Sequence, residues 1–237
     1  MATEHNTEKI TPARRPYAFA TRLIIAIIAL QALVSLVAYP FLPDRVPSHW
    51  NAAGQIDAYM PKPGAALLFP LISIGLFVLI NALIAISPRL NNQNPQAGRD
   101  LVNLLLVGIS LLLLVVQLAA FAIAMRVAID MTMVVSLVVS LLFIFIGNYM
   151  GKLRRNFWAG IRTPWTLANE TVWERTHRFG GWLFVGGGLL GVVTSFIPSL
   201  RLYGLLAIIV VIAVASMACS YIVYQRLAAD GRQPPFN

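Results

Sequence analysis

Two segments hold the side chains of this 237-residue chain that could do chemistry. One is NFWAGIRTPWTLANETVWERTHRFGG at 156–181, dense in Trp, Thr and Arg. The other is PDRVPSHWNAAGQIDAYMPKP at 43–63, with one histidine and two carboxylates among turn formers. In the second, His49 with Asp44 and Asp57 is the nearest approach to a zinc or acid–base set. One histidine and two loop carboxylates fall short of a zinc ligand set. Asn51 and Gly54 read as turn chemistry with positive φ. In the first segment, Arg162 sits in a compact turn between Gly160 and Pro164. There its planar guanidinium could take a loop carbonyl, a lipid phosphate or a carboxylate in fork geometry. Thr171 with Glu174 reads as a capping box for a short helix running toward Gly180. On that helix Trp173 and His177 share a face, and Glu174 can pair with Arg178. The three tryptophans 158, 165 and 173 suggest a stretch lying on a membrane plane.

The elements that must position these segments are apolar runs. Hydrophobic residues make up 58% of the chain and charged residues 11%, against about 25% charged in a soluble domain. Six windows, 23–43, 63–88, 101–125, 131–151, 179–200 and 202–225, are almost free of charge. Each approaches or exceeds the roughly 20 residues a helix needs to cross a bilayer. Backbone polar groups in hydrocarbon must pair internally, so the windows are helices. The expected fold is all-α: a polytopic integral membrane protein of six transmembrane helices.

Lys and Arg set the expected orientation. Fourteen flank one face and four, Arg45, Lys62, Arg126 and Arg201, the other. The positive-inside bias places both termini and the 152–178 loop in the cytoplasm, and loop 44–62 outside. It also accounts for the net charge of +9 without nucleic acid, for which no groove or motif is visible. The expected organisation is a cytoplasmic tail at 1–21, a three-helix half at 22–125, a second at 126–225 and a cytoplasmic tail at 226–237. The first window reads as a retained signal anchor rather than a cleaved signal. Cys219, the single cysteine, excludes an intrachain disulfide. Each half presents one helix, a long loop and two further helices, with the loops on opposite faces, as in inverted-repeat transporters. No Asp, Glu, Lys, Arg or His lies deep in a window, which counts against an ion-coupled pump. Gln31, Asn81, Asn103, Gln117 and Asn148 are expected to hydrogen-bond between helices, and the small-residue spacings at Gly147/Gly151 and Gly187/Gly191 to let helices approach closely.

The two segments together resemble the SdpI family of bacterial membrane immunity proteins. The resemblance is carried by Asn156, Phe157, Gly160, Ile161, Arg162, Thr163, Pro164, Trp165, Thr166, Leu167, Trp173, Thr176, His177 and Gly181. In the other segment Pro43, Pro47, His49, Asn51, Gly54, Asp57 and Lys62 look like the domain of unknown function often found at the N-terminus of these proteins. The resemblance implies a six-helix immunity or resistance protein of the bacterial cell membrane, acting against a membrane-active peptide toxin. It also implies signalling to a cytoplasmic regulator through the 152–178 loop. The candidate external ligand site is His49, Trp50, Asn51, Gly54, Asp57 and Lys62. The candidate partner- or lipid-binding site is Asn156, Gly160, Arg162, Thr163, Pro164, Trp165, Thr166, Trp173 and His177. No cofactor, metal or catalytic residue is assigned, and the expectation is a non-enzyme. The alternatives are a small-molecule or lipid exporter with inverted three-helix halves, or a membrane enzyme built on Asp44, His49, Asp57 and Asp130.

Overall fold

A computed structural model describes residues 16–91, 99–156 and 159–231. The expectations for most of the N-terminal tail, the centre of the 88–100 turn, Phe157, Trp158 and the end of the C-terminal tail lie outside those residues. Among the described residues, seven α-helices and one hairpin follow in chain order: α1 Pro16–Ala38, β1 Arg45–Trp50, β2 Ile56–Pro61, α2 Lys62–Asn91, α3 Arg99–Ala124, α4 Met131–Met150, α5 Pro164–Ala168, α6 Glu170–Ser195 and α7 Arg201–Ala229. Five are long and apolar enough to cross a membrane: α1, α2, α3, α4 and α7. Their outward faces carry exposed large apolar side chains such as Leu36, Leu67, Val78 and Val214. Lipid is the solvent such faces suit. The all-α polytopic membrane architecture is thereby borne out. α6 differs, because Glu170, Glu174, Arg175 and Arg178 occupy its first turns. Its uncharged part, 179–195, is about 25 Å long at 1.5 Å per residue.

Local chemistry explains where the helices start and stop. Pro40 lies in the 3-10 turn Tyr39–Phe41 that ends α1, and Pro63 sits in the first turn of α2, where the missing N–H costs nothing. Asp130 caps α4 by accepting from the Met133 amide at 3.0 Å. Asn169, not Thr171, caps α6, its side chain accepting from Val172 N–H at 3.1 Å. That helix runs on past Gly180 to Ser195, so the expected short helix is the first part of a long one.

α1, α2 and α3 pack as one group and α4, α6 and α7 as another, with α3 against α4 between them. In the second group α4 and α6 approach closely. A Cβ added to Gly147 would lie 2.7 Å from the Gly181 carbonyl oxygen, and one on Gly181 2.9 Å from that of Gly147. Those backbones touch, which only a pair of glycines permits. At the far end of the group Arg201 pairs with Asp130 and donates from Nε to the Ser195 carbonyl at 2.9 Å.

In the first group the interior is apolar around Ile24, Ile27, Leu106 and Leu114. Ser73 and Asn103 are buried there with Ser73 Oγ and Asn103 Oδ1 unpartnered, and a connected polar chain runs through it. α2 continues through Pro70, which lacks an N–H and frees the carbonyl of Ala66 four residues earlier. Ser35 of α1 fills the vacancy, its hydroxyl donating to Ala66 O at 2.6 Å. Gln117 of α3 donates to Ser35 Oγ at 2.9 Å and to the Gln31 carbonyl at 3.0 Å. Gln31 and Gln117 thus join helices as expected. Asn81 and Asn148 do not: each donates back to its own helix, to Phe77 O and Ile144 O.

The loop expected at 44–62 is an antiparallel two-stranded ribbon, with Arg45 opposite Pro61 and Trp50 opposite Ile56. Both strands are edges, so Pro47 and Pro61 remove no ladder bond that a central strand would need. Val46, 1% exposed, anchors it to Ala38, Leu42, Ala65 and Phe121. Its tip at Gly54 rests on Thr132 in the first turn of α4. The 152–178 segment packs at Met150 and Leu153, beyond the other end of α4. Twenty residues of helix separate the two by about 30 Å.

Candidate functional site

At the hairpin end, Asn51 organises the turn. Its Oδ1 accepts from the amides of Ala53 and Gln55 at 2.9 and 3.0 Å, and Gly54 takes φ +77°. The positive φ expected at Asn51 is absent; its side chain, not its backbone, does the turning. His49 Nδ1 and Asp57 Oδ1 lie 2.6 Å apart across the ribbon, both exposed. Lys62 sits over the Tyr39 ring, 4.7 Å from its centroid. Asp44 and Asp130 do not gather with the His49–Asp57 pair: among the described residues no three His, Cys, Asp or Glu side chains form a cluster that could hold a metal ion.

Beneath the ribbon is a cleft of about 540 Å³ where the two helix groups meet. His49, Trp50 and Asn51 form its roof, and α2, α3, α4 and α7 its walls through Phe69, Val116, Val135 and Leu205. Thr132 and Ser136 add hydroxyls. Gly54, Asp57 and Lys62 stand outside this lining. A cleft of this size and mixed lining suits a ligand that is largely apolar with a few polar groups.

At the other end most of the motif points inward. Thr163 and Thr166 form a reciprocal capping box at the start of α5, 2.9 and 3.2 Å. Pro164 takes the first helical position, where its fixed φ fits. Thr166 also donates to the Ile161 carbonyl at 2.9 Å. Trp165 sits edge-on to Tyr221 of α7, centroids 5.2 Å apart, with Tyr224 also alongside. Trp173 donates to the Leu153 carbonyl at 2.7 Å and stacks on His177, centroids 3.9 Å apart. Trp173 and His177 are both wholly buried, so they are not membrane-plane anchors. Asn156 Oδ1 accepts from Ala159 N–H at 2.8 Å and its Nδ2 donates to the Arg154 carbonyl.

His177 locks the turn. Its Nε2 accepts from the Ile161 amide at 2.9 Å, while Nδ1 faces the Trp173 carbonyl at 2.8 Å. An amide can only donate and a carbonyl only accept, so the proton sits on Nδ1 and the ring is neutral. Burial lowers its pKa below the ordinary 6.5, and the Trp173 carbonyl only partly opposes that. Gly160, at φ +115°, lies so close that a Cβ there would be 2.3 Å from Nε2. Of the candidate residues at this end, Gly160, Arg162 and Pro164 are exposed. Glu174 and Arg178 form no ion pair. They border a polar hollow of about 300 Å³ with Lys152, Arg154 and Glu170.

The fold and its two ends define a polytopic helical membrane protein whose distinctive residues brace its turns and helix ends. The SdpI/YfhL protein family matches residues 152–224, and the domain of unknown function DUF1648 matches residues 26–74. The chain is 28% identical over 204 residues to Immunity protein SdpI of Bacillus subtilis (strain 168), covering 86% of this chain and 95% of that protein. These matches bear out the resemblance read from the two segments. No solved structure matches.

Proposed function

We propose that the protein protects its cell against a membrane-active peptide, taking part of that peptide into the cleft beneath the ribbon. The observation that carries this reading is the 540 Å³ cleft at the meeting of the helix groups, roofed by His49, Trp50 and Asn51. In this reading α6 is the sixth crossing, the ribbon faces outward and both termini are cytoplasmic. A peptide that partitions into lipid would enter with apolar side chains against Phe69, Val116 and Leu205 and polar groups toward Asn51, Thr132 and Ser136. The similarity to an immunity protein supports the same role.

The test is survival of a toxin-sensitive host expressing the protein, challenged with several membrane-active peptides. Wild type protects against at least one of them, and Leu202→Trp, which fills the cleft from the α7 wall that Leu202 lines, removes protection at matched abundance in the membrane. Killing unchanged by wild type, or equal protection by wild type and Leu202→Trp, refutes the reading. Recruitment of a cytoplasmic regulator is a second element of it, favoured by the charged hollow formed by Lys152, Arg154, Glu170, Glu174 and Arg178. A pull-down with Arg154→Ala and Arg178→Ala checks it: partners recovered equally with wild type and variants contradict it.

A further inference from the structure

A second cavity lies at the motif end and serves neither the ribbon nor the charged hollow. It is a slot of about 320 Å³ between α4, α6 and α7. Ile209, Ile212, Ala213 and Met217 run along one wall. From Ile209 to Met217 the wall is about 12 Å long at 1.5 Å per residue. Ile209, Ala213 and Met217 are exposed on the outer surface of the bundle while Ile212 is buried, so the slot opens sideways. Its mouth is formed by the turn that His177 locks, where Ile161, Arg162 and Thr163 join the lining.

Ser216 adds an observation independent of the apolar wall. It is 3% exposed, lines the slot, and its Oγ has no hydrogen-bond partner. Other serines in these helices have partners: Ser140 bonds back to the Ser136 carbonyl, Ser195 to Gly191 and Ser220 to Met217, while Ser136 donates to the Arg201 carbonyl. Such back-bonding is the ordinary fate of a hydroxyl in an apolar helix, and a buried polar group without a partner is costly. Ser216 therefore offers an unmet hydroxyl to whatever fills the slot. The occupant must be apolar along the wall, able to hydrogen-bond beside Ser216, and negatively charged near Arg162. An acyl chain, an ester and a phosphate supply those three features in one molecule. The surrounding segment is basic, with Lys152, Arg154, Arg155, Arg175 and Arg178 beside Arg162 in sequence, and such segments draw anionic lipid headgroups.

We propose that this slot is a specific site for one anionic glycerophospholipid, with an acyl chain between α4, α6 and α7 and its phosphate at Arg162. The site is independent of any toxin and would brace the turn against α7 whether or not the ribbon cleft is used. The test is native mass spectrometry of the purified full-length protein in an equal mixture of phosphatidylglycerol and phosphatidylcholine. Wild type retains phosphatidylglycerol over phosphatidylcholine by about tenfold, the scale of one charge-assisted contact. Arg162→Ala loses that preference. Ala213→Phe, which fills the slot from an exposed wall position and keeps every charge, loses it too. Added inorganic phosphate leaves it unchanged. Equal retention of the two lipids by wild type overturns the proposal. So does a preference that survives Ala213→Phe, since the headgroup would then be held without the slot. Displacement of lipid by inorganic phosphate also overturns it, because the ligand would then be the free anion.

Discussion

The carbonyl freed by Pro70 yields a prediction that can be worked through. In α2 the Ala66 carbonyl has lost its partner four residues on, and the Ser35 hydroxyl donates to it at 2.6 Å. Ser35→Ala orphans that carbonyl and removes one of two acceptors for the Gln117 amide. Gln117 keeps the other, the Gln31 carbonyl at 3.0 Å. Hydrogen bonds between membrane helices average about 0.6 kcal/mol and reach about 1.7. Ser35→Ala, losing two, should cost about 1–3 kcal/mol. With Pro70→Ala the helix gains an amide aimed at the Ala66 carbonyl. Removing Ser35 in that background then loses only the Gln117 contact, and the cost falls by about half. The double-mutant coupling is thus about 0.6–1.7 kcal/mol, read from unfolding of the four proteins in mixed micelles. Effects that add to within about 0.5 kcal/mol, the spread for uncoupled sites, would refute the claim that Ser35 substitutes for the amide proline lacks.

Two further outcomes test the lock at the motif end. Because His177 is held neutral with its pKa below 6.5, the unfolded chain binds the proton that the folded one refuses. Stability is therefore flat above pH 6.5 and falls as pH drops below it, by at most about 1.4 kcal/mol per pH unit. Melting curves from pH 7.5 to 5.5 should show this slope in wild type and not in His177→Gln; equal slopes in both contradict it. Gly160→Ala forces a Cβ to 2.3 Å from Nε2 at a φ of +115°, a backbone strain of about 1–3 kcal/mol before any lost hydrogen bond. It should render the bonds near Ala159–Arg162 sensitive to protease in the folded protein, and resistance equal to wild type would count against the lock.

How much of this was legible in the chain depends on what each feature requires. The helices were, because charge-free windows of bilayer length admit no other structure. The ribbon was not. Two prolines disguise its strands, and register shifts beside His49 break the alternation that betrays a strand. The start of α6 was misplaced by two residues, since Thr171–Glu174 and Asn169 both satisfy capping patterns and only Asn169 has the extended backbone of a cap. In the motif, the shared face of Trp173 and His177 followed from helical spacing. The bond from Ile161 to His177 did not, because it depends on the chain doubling back at Gly160. Tyr221, Leu153 and the cleft residues Phe69, Ser136 and Leu205 carry no local signal; packing alone brings them to their sites. Pro70 marks a freed carbonyl in the sequence, but only packing shows that Ser35 is the hydroxyl that meets it.

The ribbon grows from the first group of helices, rooted by Val46 against Ala65 and Phe121, yet its tip leans on Thr132 of the second. It is a strut spanning two bodies rather than an ornament on one. A tilt of either body would slide the tip across the head of α4 and alter the room under His49 and Trp50. Whatever enters that room therefore meets a roof that rests on both bodies at once.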